Sequence, residues 1–346
     1  MGSNGRAMKK TSLVVMAAGL GSRFGGTKQL ANIGPNGEAI LDYTIRDAQA
    51  AGIEDIVLIV RTEIAADIEA HIENIHGSDH NCTFVCQDDF GPHREKPWGT
   101  THAVLSAEHS ITEGSSFLLA NADDYYIDLT KDIRIHARRH PNSNAKLSLL
   151  FFHGNGEIVS DYDNLVDYFS NLGVELTIAD FRGYGKSTGA PTLRAAIEDS
   201  HVILDCLMAN KVLKNKICVM GRSLGSAPTI ELCSKRSDIQ GCILESGYAD
   251  PIPLVERRGL IIKNTTPEEN ANFNNSHKIS AVKCPTLIIH GEQDFLIQPK
   301  EAKMNYDNAG AKVKRLEILE GVGHNDMMMA PEGSYFKVLK EFFDSL

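Results

Sequence analysis

No apolar run in this chain approaches the ~18 residues that a membrane-spanning helix needs, and the opening, MGSNGRAMKK, is too polar for a secretory signal. Gly2 invites a myristoylation reading, but Arg6 stands where that motif wants Ser or Thr. There is no basic excess: 35 Lys+Arg face 45 Asp+Glu, a formal charge of −10, where a nucleic-acid binder is usually basic. No internal repeat and no low-complexity tract is present, which sets aside solenoids and biased tails. The cysteines do not form an even set. The seven stand at 82, 86, 206, 218, 233, 242 and 284, mostly in apolar runs such as ICVMG and GCILES, and they read as buried free thiols of a reducing cytosol. Cys82 and Cys86 share one face of a strand in CTFVC, but a metal would need further ligands beside them. The expectation is a cytoplasmic protein with no membrane span and no nucleic-acid partner.

What is present is material for a core. Apolar residues make up 42% and charged residues 23% of 346, room for two domains of ordinary size. The acidity sits in the first third: residues 1–128 hold 9 Lys+Arg against 18 Asp+Glu, and the remainder is nearly balanced. Short β-rich runs alternate with helical stretches, the pattern of an α/β chain with mainly parallel sheets. In the first third the strands are SLVVMAA, DIVLIV, CTFVCQ and SFLLANA. Further on come IRIHARRH, LSLLFFHG, VELTIADF, KICVMGRS, QGCILESG, CPTLIIHG and KRLEILEG. Two sheets in series are expected, in domains 1–128 and 129–346.

VVMAAGLGSRFGGTKQL is a strand followed by a glycine-rich turn. Gly19, Gly21, Gly25 and Gly26 let backbone N–H groups approach phosphate oxygens, and Arg23 and Lys28 add charge suited to a triphosphate. It is no Walker loop, because GK[ST] is missing, and Phe24 stands where a dinucleotide fingerprint places its third glycine. On the loop alone, a strand-to-helix turn with no ligand is the plain alternative. More lines up than the loop. AAGLGSRFGGTKQL, GPNGEAILDYTIRDAQAAG, REKPWGTTHAVL and NADDYY occur in this order over roughly residues 11–126, and together they resemble the N-terminal half of the sugar nucleotidyltransferases. The resemblance implies NTP and Mg²⁺. Gly19 and Gly21 would hold the nucleotide, Arg23 and Lys28 the phosphates, Asp123 the metal, and Gly99 and Thr100 would face the base or sugar. In that family a second metal carboxylate and the sugar pocket come from a C-terminal half. Here only IDLTKD separates NADDYY from the strand IRIHARRH. Phosphoryl-type transfer depends on charge neutralisation and positioning, so a truncated Rossmann-like half-domain without transferase activity is expected. Its apolar strand SFLLANA would be left at an open edge, a place for the other domain or for a second copy in a homo-oligomer.

GRSLG, residues 221–225, matches G-x-S-x-G between an apolar strand, KICVM, and a helical run, SAPTIELCSK. That context is what a nucleophile elbow needs, with Ser223 thrust into the open. LIIHGEQDFLIQP places Asp294 just past a strand, and LEGVGHND places His324 past the next. The order Ser, Asp, His is that of the α/β-hydrolases. His324 is the expected base, Asp294 the residue that orients it, and the N–H groups of Leu224 and Asn155 the expected oxyanion donors. Glu245, in ILESGY, is the alternative acid. His153 and His290, each before a glycine at a strand end, read as turn-bracing residues. The run from IRIHARRHP onward resembles the α/β-hydrolase superfamily, above all its small-lid serine hydrolases, which include acyl-protein thioesterases and peptidase-like members. PIPLVERRGLIIKNTTPEENANFNNSHKIS stands where that family inserts its lid. The resemblance implies a cofactor-independent hydrolase of a small-molecule or acyl substrate, an ester or thioester, with amides left open. Three other readings of the joined chain stand beside it: a nucleotide-sensing module regulating the hydrolase, a bifunctional sugar-phosphate nucleotidyltransferase/hydrolase, and a fusion with no joint biology.

Overall fold

A computed structural model describes residues 11–18, 28–30, 36–91, 100–121, 124–257, 259, 261, 262, 264 and 266–346. The chain divides into two compact units, Met1–Asp124 and Tyr125–Leu346.

In the first unit the described residues form four strands: β1 (Thr11–Met16), β2 (Asp55–Val60), β3 (Cys82–Cys86) and β4 (Ser116–Asn121). They lie in the order β3-β2-β1-β4, all parallel. The two central strands are continuous apolar runs because both of their faces are covered. On one face Leu13, Val15, Ile56 and Leu58 pack with Leu41 and Ile45 of α1 (Ile40–Ala50) and Ile68 and Ile72 of α2 (Thr62–His76). On the other, Val14, Val57 and Ile59 meet Ala103 of α3 (Thr100–Ser106). Among the described residues nothing covers either face of the edge strand β4: Phe117, Leu118 and Leu119 are 41%, 53% and 40% exposed.

The second unit holds β5 (Asp124–Asp128), β6 (Arg134–His140), β7 (Leu147–Phe152), β8 (Val174–Ala179), β9 (Lys216–Arg222), β10 (Ile239–Glu245), β11 (Thr286–Gly291) and β12 (Lys314–Leu319). Their order is β12-β11-β10-β9-β7-β8-β6-β5. From β7 to β12 every pairing is parallel, and β6 runs antiparallel to β8. Helices α4 (Val166–Asn171), α5 (Leu193–Ala209), α6 (Ser226–Lys235), α10 (Pro299–Asn308) and α11 (Ser334–Ser345) flank it. One core cluster joins the sheet to α5, α6 and α10 through Leu204, Ile230 and Ala302. Its counterpart joins the sheet to α4 and α11 through Phe169, Tyr335 and Phe342. The short helices α7 (Pro251–Glu256), α8 (Pro267–Phe273) and α9 (Asn275–Lys278) lie in the stretch read as a lid.

One reading of the sequence is corrected here. DYYID is the first strand of this second sheet, not the close of the first domain, and the supposed seam IDLTKD lies largely in the turn between β5 and β6. The turn is tied by Leu129 N–H to Ile133 O at 2.8 Å. Ile127, buried to 1%, anchors β5 in the same core as α5 and α6. The unit boundary accordingly falls at 124/125, ahead of the expected 128/129. All seven cysteines are free, with Cys218, Cys233 and Cys242 buried. Among the described residues no His/Cys/Asp/Glu group could hold a metal ion, and no helix is long and apolar enough to cross a membrane.

Candidate active site

The carboxyl ends of β7, β9, β10, β11 and β12 bring their loops to one edge of the second sheet. The chain leaves β9 through Ser223 at φ +52°, the left-handed region that non-glycine residues seldom enter, and passes through one 3₁₀ turn into α6. The flanking glycines are there for space. A Cβ at Gly221 would lie 2.1 Å from Gly225 O, and a Cβ at Gly225 would lie 2.0 Å from Phe152 O. So the turn is seated directly on the end of β7, which sets Leu224 next to the His153–Asn155 turn. The Asn155 side chain is itself held, its Oδ1 accepting from the Tyr184 hydroxyl at 2.5 Å.

The loops after β11 and β12 are laced together by backbone. Glu292 N–H donates to Leu319 O at 2.9 Å and Gln293 N–H to Val322 O at 2.8 Å. Gly291 lets them close, since a Cβ there would come 2.3 Å from Val322 O. The lacing carries Asp294 to His324: Oδ2 lies 2.7 Å from Nδ1. The other ring nitrogen, Nε2, lies 3.1 Å from Ser223 Oγ. Asp294 Oδ1 accepts from the N–H groups of Leu296 and Ile297 at 2.9 and 2.8 Å. Burial pushes the Asp294 carboxyl up, but hydrogen bonds from His290, His324 and the Ile297 N–H outweigh it and hold the carboxyl well below the usual carboxylate range. The group therefore stays ionised.

Of the residues picked from sequence, Ser223, His324 and Asp294 are thus brought into one line, Leu224 follows Ser223 directly in the turn, and Asn155 lies in the turn after β7. Glu245, the alternative acid, ends β10 and accepts from Arg222 Nε at 3.2 Å and from the Tyr335 hydroxyl at 2.7 Å. His153 Nδ1 lies 2.8 Å from Gly154 O, and His290 Nε2 lies 2.7 Å from Ile297 O, so each braces a turn. His290 also comes 3.2 Å from Asp294 Oδ2, a contact the sequence did not announce. Nor did it announce that Arg222 hydrogen-bonds Glu157 and Asn325; an arginine directly before the elbow serine was the signal available in the sequence.

In the first unit, Gly19, Gly21, Gly25, Gly26, Arg23, Gly99 and Asp123 lie outside the described residues. Lys28 opens a 3₁₀ turn and Thr100 opens α3.

Comparison with known proteins finds two families along the chain. Residues 143–265 and 274–329 match the family described as serine aminopeptidase, S33. Residues 13–145 match the MobA-like NTP transferase domain, a span that runs past the first unit into β5 and β6. Among curated relatives, alpha/beta hydrolase domain-containing protein aho-3 of Caenorhabditis elegans is 31% identical over 59% of this chain. Protein bem46 of Schizosaccharomyces pombe is 32% identical over 57% of it. The matched stretch spans 59% of aho-3 and 67% of bem46. Among solved structures, the Pyrococcus furiosus esterase Pf2001 aligns over 64% of this chain and 91% of its own length, at 19% identity and a TM-score of 0.55. Est1E from Butyrivibrio proteoclasticus aligns over 64% and 98%, at 20% identity and 0.52. These likenesses are of fold.

Proposed function

Because the chain belongs to the serine aminopeptidase S33 family of α/β-hydrolases, we propose that it cleaves a carboxylic ester or thioester with Ser223, His324 and Asp294 as its catalytic residues. The observation that carries this reading is the single line of contacts, 3.1 Å from Ser223 Oγ to His324 Nε2 and 2.7 Å from Nδ1 to Asp294. His324 takes the hydroxyl proton as Oγ adds to the substrate carbonyl carbon. The charge that develops on the carbonyl oxygen falls to the N–H groups of Leu224 and Asn155, a type of donor worth roughly 10²–10³ in rate each. Leu224 leads into α6, whose N-terminus adds a favourable dipole at the same place. The C–O or C–S bond then breaks as His324 returns the proton to the leaving group. Water, activated by the same imidazole, releases the acid from Ser223. Asp294 holds Nδ1–H in register and stabilises the imidazolium that forms in both halves.

A panel of p-nitrophenyl esters, acyl thioesters and aminoacyl amides on the full chain tests the substrate class, with a fluorophosphonate probe and peptide mapping to locate the nucleophile. Turnover of esters or thioesters and labelling at Ser223 is the expected result. Turnover of amides alone would overturn the substrate class.

The match of residues 13–145 to the MobA-like NTP transferase domain favours a second reading, for the first unit only: it binds an NTP without transferring it. Apart from Lys28 and Thr100, its candidate residues for Mg²⁺ and nucleotide lie outside the described residues, so no chemistry is assigned to them. Isothermal titration of the full chain with NTP and Mg²⁺ tests binding, and ester turnover with and without NTP tests whether it regulates the hydrolase.

A further inference from the structure

We propose that Arg222, the residue before the serine, is a positioning residue that sets the nucleophile, the histidine loop and the oxyanion turn at fixed distances from one another. The inference rests on the assignment of Ser223 and His324 above. Arg222 is 7% exposed, and its guanidinium meets three other segments. Nη2 donates to His324 O at 2.8 Å and to Asn325 Oδ1 at 3.0 Å, holding the loop that carries the base. Nη1 donates to Glu157, whose Oε2 accepts from the Gly154 N–H at 2.6 Å and from the Tyr162 hydroxyl at 2.5 Å. Gly154 sits on top of this pair, since a Cβ there would come 2.6 Å from Nη1. Nε faces Glu245 at 3.2 Å, and Glu245 is completely buried and tied to Tyr335 of α11.

The arrangement suits arginine alone. Its planar fork presents five donors in fixed directions, and two flanking carboxylates hold that plane. Lysine would supply the charge but no fork, so it could not serve the His324 carbonyl, Asn325, Glu157 and Glu245 together. The backbone of Arg222 is joined by one peptide bond to Ser223. Loss of these hydrogen bonds releases the His324 loop and the Gly154–Glu157 turn from the segment that carries Ser223, so the Ser223–His324 and Ser223–Asn155 distances change together. Neither would be visible in substrate binding. Both would appear in the chemical step.

The test compares wild type with Arg222→Lys and Asn325→Ala, using kcat and KM on a p-nitrophenyl ester and the rate of fluorophosphonate labelling. Arg139→Lys is the control for loss of a buried arginine, since Arg139 is held by Glu175 on the distant β6–β8 part of the sheet. Arg222→Lys should lower kcat and the labelling rate by roughly 10–100-fold, with KM within about twofold, as a misplacement near 1 Å does. Asn325→Ala leaves both carboxylates paired. It should lower kcat by roughly 3–10-fold with an unchanged melting temperature. The control should lose melting temperature but not kcat. If Arg222→Lys does not fold, Asn325→Ala decides. Wild-type kcat in a folded Arg222→Lys, or in Asn325→Ala, overturns the positioning role. Absence of labelling at Ser223 in the wild type would instead overturn the nucleophile assignment, and this role with it.

Discussion

Ser223 occupies a strained left-handed conformation between two glycines that admit no Cβ, and that strain presents one oxygen to one imidazole. On the proposed assignment, Ser223→Ala lowers kcat by roughly 10⁴–10⁶ and abolishes probe labelling. Asp294→Asn costs roughly 10⁴, because the amide would favour the wrong tautomer of His324, while Glu245→Gln costs far less. Steady-state kinetics of the two variants check the order, and a larger loss at Glu245 would move the acid to β10. A second buried carboxylate matters for stability in place of chemistry. Asp42 is fully buried and accepts from Ala39 N–H at 2.6 Å, with His71 Nε2 at 2.7 Å and His76 Nε2 at 2.8 Å. Burial alone would raise its pKa, but the hydrogen bonds from His71, His76 and Ala39 bring it down to about 2. A folded value below the unfolded one means stability that is present above about pH 4 and lost as pH falls towards 2. Urea titrations should find Asp42→Asn destabilised by about 2 kcal/mol at pH 7, with the gap to wild type closing near pH 2.

At the scale of elements, β4 is the conspicuous one. Side chains alternate faces along a strand, so three consecutive exposed apolar residues mean that neither face is covered. Among the described residues it pairs with β1 on one side and is an edge on the other. Proteins normally protect such edges with charge, bulges or a covering segment. Self-association through β4 is the expected consequence. Sedimentation velocity over a range of concentrations should show it for the wild type and show it weakened in Leu118→Lys, where a charge sits at the centre of the strip. A wild type that stays monomeric throughout would refute this. The elements around the serine behave oppositely: they are short turns locked by backbone lacing, and they leave Ser223, His324 and Asp294 little freedom to drift.

At the scale of the whole molecule, two stretches that match different families share a chain without sharing a function that the described residues reveal. The family match of the first extends to residue 145 and that of the second begins at 143, yet β5 and β6 are built into the second sheet. The backbone hydrogen bonds, rather than the sequence likeness, decide where those residues belong. The first unit's described residues make a four-stranded parallel sheet, and the resemblance that names its nucleotide motifs assigns the second metal carboxylate and the acceptor pocket to a half not recognised here. Pyrophosphate release from any NTP with a panel of sugar 1-phosphates should stay at background. Release above background with any acceptor would show that the missing parts are supplied.

By itself the sequence determined what local backbone chemistry encodes. Runs such as DIVLIV and LSLLFF read as strands, and GRSLG between KICVM and a helical run reads as a strand–turn–helix elbow. The order of Ser223, Asp294 and His324 followed from strand ends. Partnership across the sheet was another matter. Glu245 and Asp294 both emerge from the carboxyl ends of neighbouring strands, and Glu245 lies in register with Ile289. Nothing in either residue's neighbours along the chain says which one faces His324. Only the lacing of the loops after β11 and β12 turns Asp294 towards the ring and leaves Glu245 to Arg222. In the same way, DYYID is too short and too polar to declare its sheet, and the hydrogen bonds of a hairpin had to place it. Local dihedral preference and burial are written in adjacent residues, whereas the choice among equally suitable distant partners is made by packing.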